Sequence, residues 1–474
     1  MPFNTPPSRS ARASTFRLRA LSVALGLALT FGTGLSAQAQ NLQELYDTAR
    51  GYDAALLSAR AALQATQYRI DQTYALRRPN VGLAVGGNYN ASRTPDAQTQ
   101  SANTTTVNAS VTGSQSLFNR SNDATIAQAE KSLDVSRADV EAAEQDLILR
   151  LSQAYFDVLT AQDTLATARA NLTAISEQLA SAKRNFEVGT ASITDTREAQ
   201  ARFDLARATE IQANNDLITK RIALDQLVGR ASVEPKPVAL PFTVPPVVPP
   251  TVDDWVARAD AEHPSIRKAR VAVEVARLET TKAKAGNLPT VGMNASVGKG
   301  RNNTSGDLVP TCSPAFASCP PPSVSYSSRS PSTSANIGIT LNLPLFAGYS
   351  IQNRIKETLV LEDKSQVDLE AARRGVAQAT RQFFYSVGSG TAQVSALEAA
   401  ESSSKLALEA TQLGYKVGVR VNLDVLNAQA QLYTTQAQLA KARYDVLLAG
   451  LRLRQASGRL TADDVAAVNR LLVR

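Results

Sequence analysis

The stretches VGTASITDTREAQ (188–200) and VGVRVNLDVLNAQ (417–429) are two versions of one phrase. Each holds Val-Gly, an acid six residues after the Gly, and Ala-Gln beginning four residues later. Working outward, Phe186–Arg230 aligns with Tyr415–Arg459 at a constant shift of 229, without a gap and with 13 identities in 45 positions. Among them are Gly189/Gly418, Asp195/Asp424, Gln200/Gln429, Asp216/Asp445 and Gly229/Gly458. Upstream the shift is 210, where Asp53–Arg60 faces His263–Arg270 and Pro79-Asn-Val81-Gly82 faces Pro289-Thr-Val291-Gly292. From Leu117-Phe118, matched to Leu345-Phe346, the shift is 228, so the halves differ mainly by about 18 residues inserted between these landmarks. The chain is a duplication. VEPKPVALPFTVPPVVPP (233–250) joins the halves, since Pro continues neither helix nor ladder.

Within each half the periodicity changes. In VGLAVGGNYN, residues Val81, Leu83, Val85 and Tyr89 alternate with small or polar ones. Val291, Met293, Ala295 and Val297 do the same, as do Ile337, Ile339, Leu341, Leu343 and Leu345, and VNASVTG (107–113) repeats the scheme more weakly. Period two predicts four strands, apolar on one side. A soluble half-buried sheet is one reading. The polar faces carry Gly, Asn, Ser and Thr rather than Lys and Glu, which suits a water-filled lumen better.

A long helical pattern follows each strand pair. Asn122 to Val188 contains neither Pro nor Gly and as one helix runs roughly 100 Å; Ile351 to Val417 has the same reach. Val425, Ala428, Leu432, Thr435, Leu439, Ala442, Val446, Ala449 and Leu453 keep a 3-4 alternation, and Leu369, Ala372, Val376, Ala379 and Phe383 repeat it. Such spacing belongs to coiled coils, and taken alone describes a soluble bundle equally well. The opening phrase lies where one long helix ends and the next begins. Gly189 and Gly418 suit the position past a helix C-terminus that needs φ > 0. Ser192-Ile-Thr-Asp195 resembles a capping box, and Asn422 is expected to cap the second descending helix. Each half thus makes a helical hairpin with this phrase at its tip.

The expected organisation is a signal peptide over 1–39, then a first repeat over 40–230, with strands at about 80–118 and hairpin helices at about 122–228. A linker (231–250), a second repeat (251–460, strands about 290–345, helices about 351–457) and a tail (461–474) complete it. The signal is read from Arg9, Arg12, Arg17 and Arg19, the apolar run Leu21–Leu35 and the small-residue site Ala37-Gln38-Ala39. The formal charge of +8 falls to about +4 without those four Arg, with no basic cluster left, which excludes nucleic acid as a partner. No later apolar run is long enough for a helical span, so any membrane crossing is by strands.

Four strands cannot close a membrane barrel, for which eight or more are needed, and an open edge in lipid leaves backbone groups unpaired at several kcal/mol each. If the strands are membranous, several copies must share one barrel, and their helices would then be forced into a ring that continues it as a tube. A tube open at both ends is a conduit. The two-half layout, the Val-Gly…Asp tips and the ending ARYDVLLAGLRLRQASGRL resemble the TolC family of outer-membrane export channels over about residues 40–460. The resemblance implies a membrane β-barrel plus a long α-helical coiled-coil barrel: a homotrimer with twelve strands in outer-membrane lipid and a helical tube in the periplasm. It also implies a periplasmic adaptor protein and an inner-membrane pump or ABC exporter as partners. Carried over by position, Tyr415 and Arg420 would engage Asp195 to hold the entrance closed. Asp424 would form a constriction ring whose second acid is replaced by Asn427, leaving a weaker negative ring with milder cation preference. Val188-Gly189-Thr190 and Val417-Gly418-Val419 would contact the adaptor. Each assignment has a plainer counterpart: Asp195 and Asp424 as first-turn acids favoured by the helix dipole, Arg420 as a solvated loop residue, and Tyr415 as a packing anchor.

Cys312 and Cys319, within the inserted segment, are the only cysteines. In an exported protein they are expected to pair as a disulfide, and a metal site would need further His or Cys. His263, the sole histidine, precedes a helix and suits local capping. With no nucleophile elbow, phosphate loop or metal-spaced cluster, no enzyme and no cofactor are expected. The rival to a conduit is a periplasmic coiled-coil scaffold or adaptor without a membrane span, which would not need strands with lipid-matched faces.

Overall fold

The computed structural model describes residues 40–93, 99–308 and 324–473. In chain order these form α1 (Leu42–Ala49), α2 (Ala54–Tyr74), β1 (Asn80–Arg93), β2 (Thr99–Phe118), α3 (Arg120–Glu187) and α4 (Ile193–Val228). The second half gives α5 (Val252–Glu262), α6 (Pro264–Ala285), β3 (Thr290–Leu308), β4 (Val324–Asn342), α7 (Ser350–Lys416), α8 (Asn422–Ala456) and α9 (Ala462–Asn469). At 68 and 67 residues, α3 and α7 each run roughly 100 Å. Asn119 starts α3 by accepting from the Ser121 and Asn122 N–H groups at 3.0 and 3.2 Å. His263 caps α6, its Nδ1 accepting from Ser265 N–H at 3.1 Å, and burial holds its pKa below the usual imidazole range. That is the capping role expected of the lone histidine.

α3 pairs with α4 and α7 with α8 as hairpins, α2 lies on α3, and α6 bridges α3 and α7. The main core sits midway along the helices, where Leu147, Leu151, Tyr155 and Phe156 of α3 meet Tyr444, Leu447 and Leu451 of α8. The Pro-rich linker does not hang free there. Ala239 N–H donates to Leu471 O at 2.8 Å, Val473 N–H to Pro237 O at 2.9 Å, and Gln40 N–H to Glu234 O at 2.7 Å. Backbone groups of the linker, the carbonyl of Pro237 among them, thus form isolated bridges with both ends of the described chain, and Leu472 is buried.

The duplication reaches single contacts. Gly229 and Gly458, with φ of 73° and 74°, follow α4 and α8. A Cβ on Gly229 would lie 2.7 Å from the Tyr52 ring, and one on Gly458 would lie 2.6 Å from His263 Cα. Each glycine presses on the residues that begin the short helix, α2 or α6, of its own half. Along α8 the 3-4 series is buried except at Ala428 and Ala449, which are half-buried, whereas the matching α7 series is only half-buried throughout.

The strands form one antiparallel sheet in the order β1-β2-β3-β4. Leu83, Val111, Val297 and Ala335 share a row on one face; Gly82, Thr112, Ser296 and Asn336 share the neighbouring row on the other. The apolar face is open to its surroundings, with Leu83, Ile337 and Ile339 all exposed. Its apolar window in β1 is offset from that in β3 and β4, whose windows coincide. Tyr89, the last large apolar residue in β1, is in row with Asn303 and Arg329, six residues past Val297 and Ala335. At the lower edge the offset is four residues, since Val81 is in row with Ala295 and Ile337 while the band continues to Val291 and Leu341. A mean offset of about 17 Å along the strands against about 14 Å across them corresponds to a tilt of about 50° between strands and band normal. That is near the tilt of membrane barrels.

Candidate gate at the hairpin tips

The helix C-termini at the two tips are built alike. At the first, Gly189 N–H donates to Phe186 O at 3.0 Å and Thr190 N–H to Asn185 O at 2.8 Å. At the second, Gly418 N–H donates to Tyr415 O at 3.1 Å and Val419 N–H to Gly414 O at 2.9 Å. This is the Schellman ending, which requires a left-handed residue; Gly189 and Gly418 have φ of 79° and 83°. Neither has an atom within 4 Å of its Cβ position, so backbone angle rather than space calls for glycine. Asp195 closes the expected capping box, accepting from Ser192 N–H at 3.3 Å while Ser192 Oγ accepts from Thr194 N–H at 3.2 Å. The second tip differs. Asn422 is not the cap; it is the first residue of α8, 1% exposed, and its Oδ1 accepts from Gln178 of α3. Val421 takes the cap position and has no side-chain acceptor, so Asp424 supplies half a box by accepting from Val421 N–H at 3.5 Å.

Within one chain the proposed latch residues do not converge. The Tyr415 hydroxyl accepts from Asn185 Nδ2 at 3.4 Å, joining α7 to α3. The stem of Arg420 crosses Gly414, where a Cβ would lie 2.8 Å from Arg420 Cγ, and its Nη1 stands 3.6 Å from Asp424 Oδ2. Among the described residues Asp195 is engaged only by its own turn. Asn427, on the exposed side of α8, accepts from Arg202 of α4 at 3.0 Å. Asp424 and Asn427, the two positions expected at a constriction, therefore each carry a guanidinium neighbour. Exposed valines crown both tips: Val188 is 72%, Val417 66% and Val419 74% exposed.

Behind the tips the hairpins meet along a thin seam. The buried cluster there consists of Ile175, Leu179, Ala182, Ala199 and Ala206 from the first hairpin and Leu426 alone from the second. Three polar contacts accompany it: Gln178–Asn422, Asn185–Tyr415 and Arg202–Asn427. The Nδ2 of Asn422 and Oε1 of Gln429, both buried, have no hydrogen-bond partner among the described residues, so the seam is incompletely satisfied within one chain. Sequence reading missed Gln178, Asn185 and Arg202. Their partners lie more than 220 residues away in the other repeat, and a comparison of the repeats with each other carries no signal for contacts between them. Cys312 and Cys319 lie outside the described residues. Among the described residues no three His, Cys, Asp or Glu gather as a metal site.

The chain matches the outer membrane efflux protein family over residues 45–230 and 255–459. It is 32% identical over 442 residues to outer membrane protein TolC of Vibrio cholerae, covering 91% of this chain and 93% of that one. It is 34% identical over 326 residues to the alkaline protease secretion protein AprF of Pseudomonas aeruginosa, covering 68% and 64%. Its fold is similar to the Campylobacter jejuni CmeC outer membrane channel, with a TM-score of 0.73 at 16% identity over 92% of this chain and 90% of that one. The chain belongs to the outer membrane efflux protein family and is a TolC-like protein of the bacterial outer membrane.

Proposed function

We propose that three copies of this chain close one twelve-stranded barrel in the outer membrane, continue it as a periplasmic helical tube, and gate that tube at the hairpin tips. The observation that carries this reading is the four-stranded sheet with an exposed apolar face and two free edges, since β1 pairs only with β2 and β4 only with β3 among the described strands. In lipid such edges must be paired, and pairing β4 of one copy with β1 of the next satisfies them. The helices carry matching uncovered surfaces: Leu205, Ile211, Ile218 and Ile222 of α4, and Val360, Val367, Leu406 and Leu413 of α7, are exposed in a single chain. Neighbouring copies would cover them.

In this reading the seam between hairpins is the half of the latch made within a copy, held by Leu426, Tyr415–Asn185, Gln178–Asn422 and Arg202–Asn427. Arg420 and Asp195 supply the half made between copies. Opening separates the second hairpin from the first, which exposes one leucine per chain and little else. The constriction is closer to neutral than a ring of carboxylates, because Arg420 faces Asp424 and Arg202 faces Asn427. The exposed valines at the tips form the docking surface for the periplasmic adaptor. Cargo, small molecules or proteins, is delivered by the inner-membrane pump or ABC exporter.

Reconstitution of the purified protein in planar bilayers tests this. Wild type should give small, discrete steps, and Arg420→Ser or Asp195→Ala should enlarge them. Unchanged steps in both variants remove the latch, and a protein that stays water-soluble without detergent removes the conduit.

A further inference from the structure

The outward face of the sheet continues beyond its apolar band. Odd-numbered residues of β3 and β4 share that face with Val291 and Leu341. Past Val297 and Ala335 it carries Lys299 and Arg301 on β3 and Arg329 on β4, all exposed, and β1 adds Arg93. Every cation of the four described strands is on this face, while the opposite face is Gly, Ser, Thr and Asn at the same levels. Lys299 and Arg301 are two residues apart on one side of β3, about 7 Å. Arg329 opposes Asn303 and is therefore a diagonal neighbour of Arg301, about 7–8 Å away. The sheet's one carboxylate, Asp307, lies six residues further along β3 and accepts from the Ser101 and Ser325 hydroxyls at 2.9 and 2.8 Å. Three adjacent like charges in a sheet destabilise it unless an anion covers them.

Position identifies the anion. The basic residues lie at the end of the sheet away from the helices, since β2 runs directly into α3. At about 3.4 Å per residue and a tilt near 45–50°, Lys299 stands about 5 Å, Arg301 about 10 Å and Arg329 about 14 Å beyond the last apolar side chain. The polar layer of a phospholipid leaflet is only about 5–8 Å deep. A patch of this height fits a thicker headgroup carrying more than one phosphate, and guanidinium and ammonium groups bind phosphate oxygens directly. We propose that Lys299, Arg301 and Arg329 form a binding patch for the phosphates of lipid A, the glycolipid anchor of lipopolysaccharide in the outer leaflet. This rests on the apolar face being the lipid face.

Native mass spectrometry of the full detergent-solubilised protein titrated with diphosphoryl lipid A tests the proposal. Wild type should retain lipid A. The variant Lys299→Gln/Arg301→Gln/Arg329→Gln should bind it about 100-fold more weakly, on the usual contribution of each basic residue near an anionic surface. Lys364→Gln/Arg374→Gln on α7 should bind like wild type. A second arm needs no mutation: wild type should lose retention equally when both lipid A phosphates are removed. The patch is refuted if the triple variant retains lipid A like wild type, if dephosphorylated lipid A binds as tightly, or if phosphatidylglycerol competes equally well. Conductance of the triple variant in planar bilayers reports separately on the conduit, which should persist when lipid A binding is lost.

Discussion

Leu426 is the single buried apolar side chain that the second hairpin places into the first near the tips, and it is 1% exposed. Its neighbours Ile175, Leu179, Ala182, Ala199 and Ala206 all belong to α3 and α4. Leu426→Ala therefore weakens the seam between hairpins without touching packing inside the first. Truncating a buried leucine costs about 3 kcal/mol from lost transfer energy and the cavity left behind. That shifts the separation equilibrium of the seam about a hundredfold in each copy. The flanking polar contacts contribute about 1 kcal/mol each, and Arg202–Asn427 less because it is exposed. If separation of the hairpins is the opening motion, Leu426→Ala should raise open probability in planar bilayers. Leu448→Ala or Leu451→Ala, in the main core around the middle of α3, removes a similarly buried side chain and should lower thermal stability by a similar amount with conductance unchanged. Should Leu426→Ala conduct like wild type, or should the core variants open the channel equally, the seam is not the gate.

Arg202→Gln should increase block by multivalent cations by removing the guanidinium beside the constriction. Asn427→Asp alone should increase block less than Asn427→Asp with Arg202→Gln, because Arg202 offsets the new carboxylate; single-channel block affinity decides. Burial holds the carboxyl of Asp163, which accepts from the Tyr444 hydroxyl at 2.7 Å, above the usual carboxylate range. The ionised form is thus disfavoured in the fold, a penalty present at neutral pH and absent below the unfolded value near pH 4. Asp163→Asn keeps an acceptor for Tyr444 and should be more stable than wild type at pH 7, the difference vanishing below about pH 4 in thermal scans. Gly418→Ala should cost only the left-handed backbone, about 1–2 kcal/mol. Gly458→Ala adds a clash with the His263 backbone and should cost about 2 kcal/mol more, readable as a lower denaturation temperature.

Local chemistry is what the sequence exposes well. The tips were legible because a left-handed glycine and a capping box are decided within a few residues, as at Gly189 and Ser192–Asp195. The strands were legible only where apolar residues alternate: the pattern stops at Val297, while β3 continues to Leu308 on polar residues that give period two nothing to mark. Lys299 and Arg301 were hidden in that continuation. Asn422 has strong capping preference, yet burial against Gln178 outweighs it once Asp424 can reach back to Val421. Arg202–Asn427 joins residues 225 apart in different repeats, a pairing set by how the hairpins pack.

Closure of the sheet between copies is the claim on which the conduit depends, and oxidative cross-linking addresses it most directly. With the native cysteines replaced, a cysteine at Ile337 in β4 is combined in turn with single cysteines along Val81–Tyr89 in β1, and outer membranes are run on a denaturing gel. Bands at two and three times the chain mass, at one register and nothing larger, are the predicted result. Only monomer at every register, or a ladder running past three, would contradict it.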